Sequence, residues 1–367
     1  RRRRERDLDA AGQWQLVWWR FRRHRLAWVG SMVLAAMGFV ALFAEFIAPY
    51  GVVDRNPRYV QGPPQPIGFV LDGRISLRPT VPTVQTVRDP VTLRPIATFD
   101  PDVRRPLRFF VRGRPYKMLG LIPSDRHLFG VAEGQVHLFG TDALGRDLFS
   151  RAVFATRTSL SIGILGVLLA FVLALVIGGV SGYMGGWVDD LLQRTTEVVR
   201  VIPVIPLFMG LAAAFPKEWS SEQVYFAMTL ILALVGWTTL ARRVRSQLLT
   251  LRQEDYVLAA RLAGASPARI VGRHMLPTFT SYIIVDLVIS FPYMILSETA
   301  LSFIGLGLRP PAVSWGILLQ DAQNLRTLEH APWLFLPAVL VVAAVLAFTL
   351  VGDGLRDAAD PYTVQRA

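Results

Sequence analysis

The chain has 367 residues, 52% of them hydrophobic and only 18% charged, with a formal net charge of +12. The apolar residues arrive in long runs rather than at the spacing of a half-buried helix or strand, which points to a membrane protein and away from a soluble enzyme. With no cysteine and five scattered histidines (His24, His127, His137, His274, His330), neither a disulfide nor a thiolate metal centre can form, and no histidine pair has the spacing of a helix-borne metal site.

Of the 39 basic residues all but Lys117 and Lys217 are arginine, and those lysines follow Tyr116 and Pro216. A phosphate-cradling P-loop needs Gly-Lys-Ser/Thr, so no Walker-type nucleotide site is expected. No nucleic-acid recognition motif is present either; so much positive charge on so apolar a chain suits anionic lipid.

A bilayer core of about 30 Å needs about 20 apolar residues as helix. Residues 1–26 carry nine arginines against three acids and lead into a first span at 27–48. The positive-inside rule then puts the N-terminus in the cytoplasm. This span is longer than a signal core and has no small-residue cleavage pattern before Pro49-Tyr50, so an uncleaved anchor is expected. Glu45 near its outer end can snorkel to water.

Residues 50–158 carry 16 basic and nine acidic residues. Their length allows translocation regardless of charge, so the stretch is expected outside the cell. Its prolines and β-branched runs at 81–87 and 91–98 suggest strands and turns. Gly140 and Gly145 look like turn positions before an amphipathic lead-in helix that Asp142 would cap. The Thr141-Asp142…Arg146-Asp147 cluster could also be read as a catalytic or calcium site, a weaker reading.

Five further spans are expected at 159–179, 198–215, 224–240, 282–304 and 333–351. Ser159, Gly163, Gly166 and Ala170 recur at steps of four, three and four, lining one face of the second span for close approach of another helix. Arg200, Pro203 and Pro206 crowd the start of the third, where Arg200 would anchor its inner end. Six crossings leave residues 241–281 and the C-terminus in the cytoplasm, and seven arginines against Glu254 and Asp255 in that loop agree.

Residues 254–277 read EDYVLAARLAGASPARIVGRHMLP. Asp255 can cap a helix running from Tyr256, Gly264 can supply a positive-φ stop, and Ser266-Pro267 is an N-cap followed by proline at the first helical position. A second helix would then run to Pro277. The first presents Tyr256, Ala259, Ala260 and Ala263, mostly small side chains that let a partner groove reach its backbone. An ordinary amphipathic surface hairpin is the competing reading.

This loop resembles the EAA loop of permease subunits of ATP-binding-cassette importers, in Ala259-Ala260, three residues, Gly264, then Leu276-Pro277. Leu258 stands where the family has glutamate and His274 where an isoleucine is expected, as in the dipeptide/oligopeptide branch. Residues 139–151 (FGTDALGRDLFSR), 298–307 (ETALSFIGLG), Pro310, Pro311 and Ser314-Trp315-Gly316 resemble that branch as well. The resemblance covers most of the chain but not residues 52–136.

The resemblance implies an all-α membrane protein of the type I importer permease fold with six transmembrane helices. The implied division is a cytoplasmic basic segment (1–26), a first helix (27–49), an extracytoplasmic insertion (50–140), a permease core of five helices carrying the coupling loop (141–356) and a cytoplasmic tail (357–367). Implied partners are a second homologous permease forming a heterodimer, two ATPase subunits that hold ATP and magnesium, an extracytoplasmic solute-binding protein and the lipid of a prokaryotic inner membrane. The chain itself would bind no cofactor or metal and catalyse no reaction. Coupling to the ATPase would run through Asp255, Tyr256, Ala259, Ala260, Ala263, Gly264, Ala265, Ser266, Pro267, Leu276 and Pro277.

Carboxylates within spans are costly and mark functional candidates. Glu298 could meet the amino terminus of a peptide or hold a gate, with Ser302 beside it, or be a hydrogen-bonded structural group. Asp286 could pack helices or line a pathway. Peptides are the expected cargo; nickel chelates, opines and oligosaccharides stay open, as does an ion-driven secondary transporter, against which no inverted repeat is visible.

Overall fold

The computed structural model describes residues 13–71, 74–88, 95–216, 218–324 and 329–359. Residues 1–12 of the basic segment, 91–94 of the second β-branched run and 360–367 of the tail lie outside them.

Helix α1 (Gln13–Arg23) precedes α2 (Arg25–Leu42), and the His24 ring between them caps α2 by accepting from the Ala27 N–H. One further turn, α3 (Ala44–Ile47), ends the first span. The strands are β1 (Gly68–Leu71), β2 (Arg74–Arg88), β3 (Pro95–Pro106), β4 (Arg108–Met118) and β5 (Ile122–Gly130). They form an antiparallel sheet in the order β1-β2-β3 and a separate β4-β5 hairpin. The register of β2 against β3 shifts between Pro82 and Val84, where proline has no N–H for the ladder.

Helix α4 (Leu148–Met184) is 37 residues long, about 55 Å at 1.5 Å per residue. It exceeds the bilayer core, so the expected lead-in helix and second span are one element. Then come α5 (Gly186–Val201) and α6 (Val204–Ala214), bent by 80°. The expected third span at 198–215 thus starts earlier and is bent within: Pro203 drives Ile202 out of helical conformation, to ψ 120°, and the chain turns there. Helix α7 (Ser221–Leu251) starts on a Ser220/Gln223 capping box. Next are α8 (Asp255–Leu262), the single turn α9 (Pro267–Arg269), a π-helical turn (Ile270–Met275), a 3-10 turn (Leu276–Phe279) and α10 (Thr280–Phe303). Helix α11 (Trp315–Gln320), a 3-10 turn (Pro332–Phe335) and α12 (Leu336–Ala359) complete the described order.

Among the described residues five helical stretches are long and apolar enough to cross a membrane, and the bent α5–α6 pair makes a sixth if it counts as one span. Packing directions decide that question. The Tyr225 hydroxyl lies 3.0 Å from Ser161 Oγ, and a Cβ at Gly182 would lie 2.8 Å from the Arg245 carbonyl, so α4 and α7 run parallel. Two parallel spans need a return crossing between them, and α5–α6 supplies it. Helix α10 runs against α4, with Ile295 over Gly163 and Met294 over Gly166. Helix α12 runs against α10, and α2 against α12, where Gly30 faces the Ala347 carbonyl and Gly354 faces Ala27. These directions gather α1, residues 252–279 and the end of α12 at one end of the bundle, with the strands at the other.

The small-residue face of α4 is used as expected: Ser159, Gly163, Gly166 and Ala170 are all buried. With only small side chains or none at these positions, backbones approach closely and dispersion replaces the hydrophobic drive that lipid cannot supply.

Candidate functional site

The element at 254–277 is held from below and bare above. Val257, fully buried, packs with Leu248, Ile270 and Met275 in one apolar cluster. Tyr256, Leu258, Ala259 and Ala263 are exposed, and Leu262 is 90% exposed. Ala260 is half-buried against the same cluster.

The turn after α8 is a Schellman motif. The Gly264 N–H donates to the Arg261 carbonyl at 3.0 Å and the Ala265 N–H to the Ala260 carbonyl at 3.1 Å, while Gly264 sits at φ +77°. Ser266 then caps the next turn by accepting from the Arg269 N–H, with Pro267 at its first position.

Two expectations here need correction. Asp255 does not cap α8: Glu254 is the capping residue, without a side-chain hydrogen bond, and Asp255 is the first helical residue. There its charge still favours the positive end of the helix dipole. Nor does a second helix stop at Pro277. The proline lacks an N–H and its ring crowds the carbonyl four residues back, so the chain changes pitch through the π and 3-10 turns and continues into α10. Leu276 is half-buried on the cluster and Pro277 exposed.

Sequence reading missed the brace beneath this element. Asp189 of α5 accepts both Arg245 Nε and Nη2 at 2.5 Å and also Ser181 Oγ. Arg252 Nη1 donates to the Tyr183 carbonyl at 3.3 Å, and the Arg261 guanidinium lies 5.6 Å from the centre of the Tyr183 ring. The only hint lay in arginines at the end of an otherwise apolar span.

Glu298 is 3% exposed on α10. Its Oε1 accepts from Ser302 Oγ at 2.7 Å, one turn on, and its Oε2 from Ser159 Oγ at 3.4 Å. Ser159 Oγ accepts from the Trp315 N–H at 3.1 Å, and Trp315 Nε1 donates to Thr156 at 3.3 Å. Both carboxylate oxygens are thus engaged within this chain, in a joint between α4, α10 and α11. Asp286 pairs through Oδ1 with Arg243 of α7, while its buried Oδ2 has no hydrogen-bond partner among the described residues. The pair borders a cavity of about 610 Å³ with Tyr282 and Arg356, and Arg243 also borders a second, of about 440 Å³, with Tyr293 and Ser297.

At the strand end, Asp142 does not cap α4. Its Oδ1 accepts the Leu144 and Arg146 N–H groups at 2.8 and 2.9 Å, and its Oδ2 takes Arg146 Nε at 2.6 Å and the Arg151 guanidinium. Arg151 reaches Asp321 at 3.2 Å as well. The cap is Asp147, which accepts the Ser150 N–H at 2.7 Å and holds His137 Nδ1 at 2.9 Å. Both turn glycines have positive φ, and a Cβ at Gly145 would lie 2.2 Å from the Asn56 carbonyl. Glu45 does not snorkel freely: both its oxygens meet Arg157 at 2.6 Å.

Residues 155–364 match the family model described as binding-protein-dependent transport system inner membrane component, and residues 12–64 match the N-terminal TM domain of oligopeptide transport permease C. Similar curated proteins include the oligopeptide transport system permease protein OppC of Bacillus subtilis (strain 168), 35% identical over 61% of this chain and 72% of that protein. The dipeptide transport system permease protein DppC of the same organism is 37% identical over 61% and 68%. A putative peptide permease of Brucella suis is 36% identical over 67% and 79%. Neither family model reaches residues 65–154, which hold the five strands of the described residues.

Proposed function

The chain belongs to the binding-protein-dependent transport system inner membrane components, and on that footing we propose that it forms half of the translocation pathway of an importer for di- and oligopeptides. It is a multi-pass permease subunit of the peptide branch. The other half would be a second, homologous permease, since the cavities beside Asp286–Arg243 open on a surface that the described residues leave uncovered. A solute-binding protein would deliver peptide at the strand end. Two ATPase subunits, holding the ATP and magnesium, would dock at the other end, which the arginines flanking α2 and filling residues 241–281 assign to the cytoplasm.

The observation that carries this reading is the exposed face of α8. Leu262 has none of the described residues packed over it, beside a Schellman turn and above a salt-bridged brace. An apolar helix face of this kind fits a groove on a partner. ATP binding that closes two such partners would move α8, and α8 would push α4, α5 and α7 through Val257, Tyr183 and Arg245. Glu298 then acts as a fixed joint, and the Asp286–Arg243 pair lines the pathway.

The test is the assembled transporter carrying Leu262→Glu. Because the side chain is exposed, folding is unaffected, whereas peptide-stimulated ATPase activity should fall by about tenfold or more. Unchanged stimulation would refute docking through α8.

A further inference from the structure

Between residues 55–59, β2 and the loop before α4 lies a cleft of about 800 Å³, a size suited to a small solute. The transport reading makes no use of it. Arg55, Arg58 and Arg105 stand in its wall, and among the described residues no carboxylate does. Arg55 and Arg58 are exposed, and neither makes an ion pair among the described residues. Arg105 is fixed at the rim by donating to the Glu133 carbonyl.

His137 also lines the cleft, although it is 97% buried, with a relative exposure of 3%. The ring stacks on Tyr59 at 4.9 Å and lies 5.4 Å from Tyr50. Burial pushes both tyrosine phenols above their ordinary range, so they stay neutral. His137 Nδ1 faces the Asp147 carboxylate at 2.9 Å, and an ionised carboxylate can only accept, so Nδ1 carries the proton. In the neutral ring that leaves Nε2 as an acceptor. Nε2 is buried and has no hydrogen-bond partner among the described residues. Native proteins leave few such atoms.

The cleft therefore offers two complementary features: two arginines with no counter-ion among the described residues, and a buried acceptor fixed by Asp147. Planar bidentate donors suit a carboxylate, and the acceptor needs an N–H close to it. The last residues of a peptide carry both groups side by side. We propose that this cleft binds the C-terminal end of a short peptide, its carboxylate on Arg55 and Arg58 and an amide N–H donated to His137 Nε2. The choice of peptide rests on the transport reading above, while the carboxylate preference rests on the cleft alone. His137 and the β2 wall of the cleft lie in residues 65–154, outside both family models, whereas Arg55 and Arg58 fall within the matched residues 12–64.

The experiment measures binding of trialanine and of trialanine amide to the full-length chain in lipid nanodiscs. Trialanine should bind, with the amide weaker by about tenfold or more, and Arg55→Gln and Arg58→Gln should each weaken trialanine by a similar factor. Arg58→Lys should retain more affinity than Arg58→Gln. No trialanine binding, equal binding of the amide, or wild-type affinity in both glutamine variants overturns the proposal. Peptide uptake by the assembled transporter is read in parallel. Uptake without discrimination by the cleft rejects the site alone; discrimination without uptake rejects the transport reading alone.

Discussion

The two ends of the helical bundle handle charge in different ways. At the strand end, carboxylates and guanidinium groups are buried together: Asp142 is 1% exposed, and Arg151, Arg146 and Asp321 close around it. At the other end the salt bridge of Asp189 with Arg245 is partly open to water, and apolar Leu262 is left bare. A buried ion pair locks a shape, because losing one partner strands the other charge. An exposed apolar side chain costs the isolated fold little and becomes useful only under a partner. The strand end is locked by buried ion pairs, and the α8 end is braced by a half-open one and leaves Leu262 exposed.

Breaking the locked end should have the largest effect. Arg151→Leu leaves Asp142 buried with one guanidinium fewer and should destabilise the protein by about 3–5 kcal/mol, read as a lower thermal midpoint in detergent. A midpoint equal to wild type would mean that the network is not load-sharing.

Overfilling the contact between α4 and α7 comes next. A Cβ at Gly178 would lie 2.4 Å from the Ala241 carbonyl, so Gly178→Val must part the helices. A loss of about 1–3 kcal/mol is expected, together with weaker transmission from α8, and unfolding midpoints alongside ATPase stimulation will measure both.

The turn at Gly264 should be smaller in stability and larger in function. Nothing lies within 4 Å of a Cβ there, so Gly264→Val brings only the left-handed backbone strain, about 1–2 kcal/mol. Membrane insertion should survive while substrate-stimulated ATPase activity drops. Smallest in stability is Leu262→Glu, within about 0.5 kcal/mol of wild type, which sharpens the contrast because its effect should appear only in the presence of the ATPase.

Much of the candidate site was legible. The Gly264 stop, the Ser266-Pro267 start and the packing face of α4 follow from local rules, since φ preference, capping and side-chain size act within one or two turns. Asp255 and Asp142 were misassigned as caps for one reason: several acids lie near each helix start, and which of them caps depends on where the chain enters. The Arg245–Asp189, Arg151–Asp142 and Arg157–Glu45 pairs join residues 56, 9 and 112 positions apart. No periodicity encodes such partners.

By itself the sequence determined that this is a polytopic membrane protein with a short helix and tight turn ending at Gly264, because long apolar runs and turn chemistry are local properties of the chain. Tertiary structure alone decided that the broken helix pair α5–α6 makes the sixth crossing, that Glu298 is closed within a serine-lined joint and that His137 Nε2 is buried without a hydrogen-bond partner among the described residues. Each of these depends on which segments pack side by side, and in which direction, and that is set by the whole bundle.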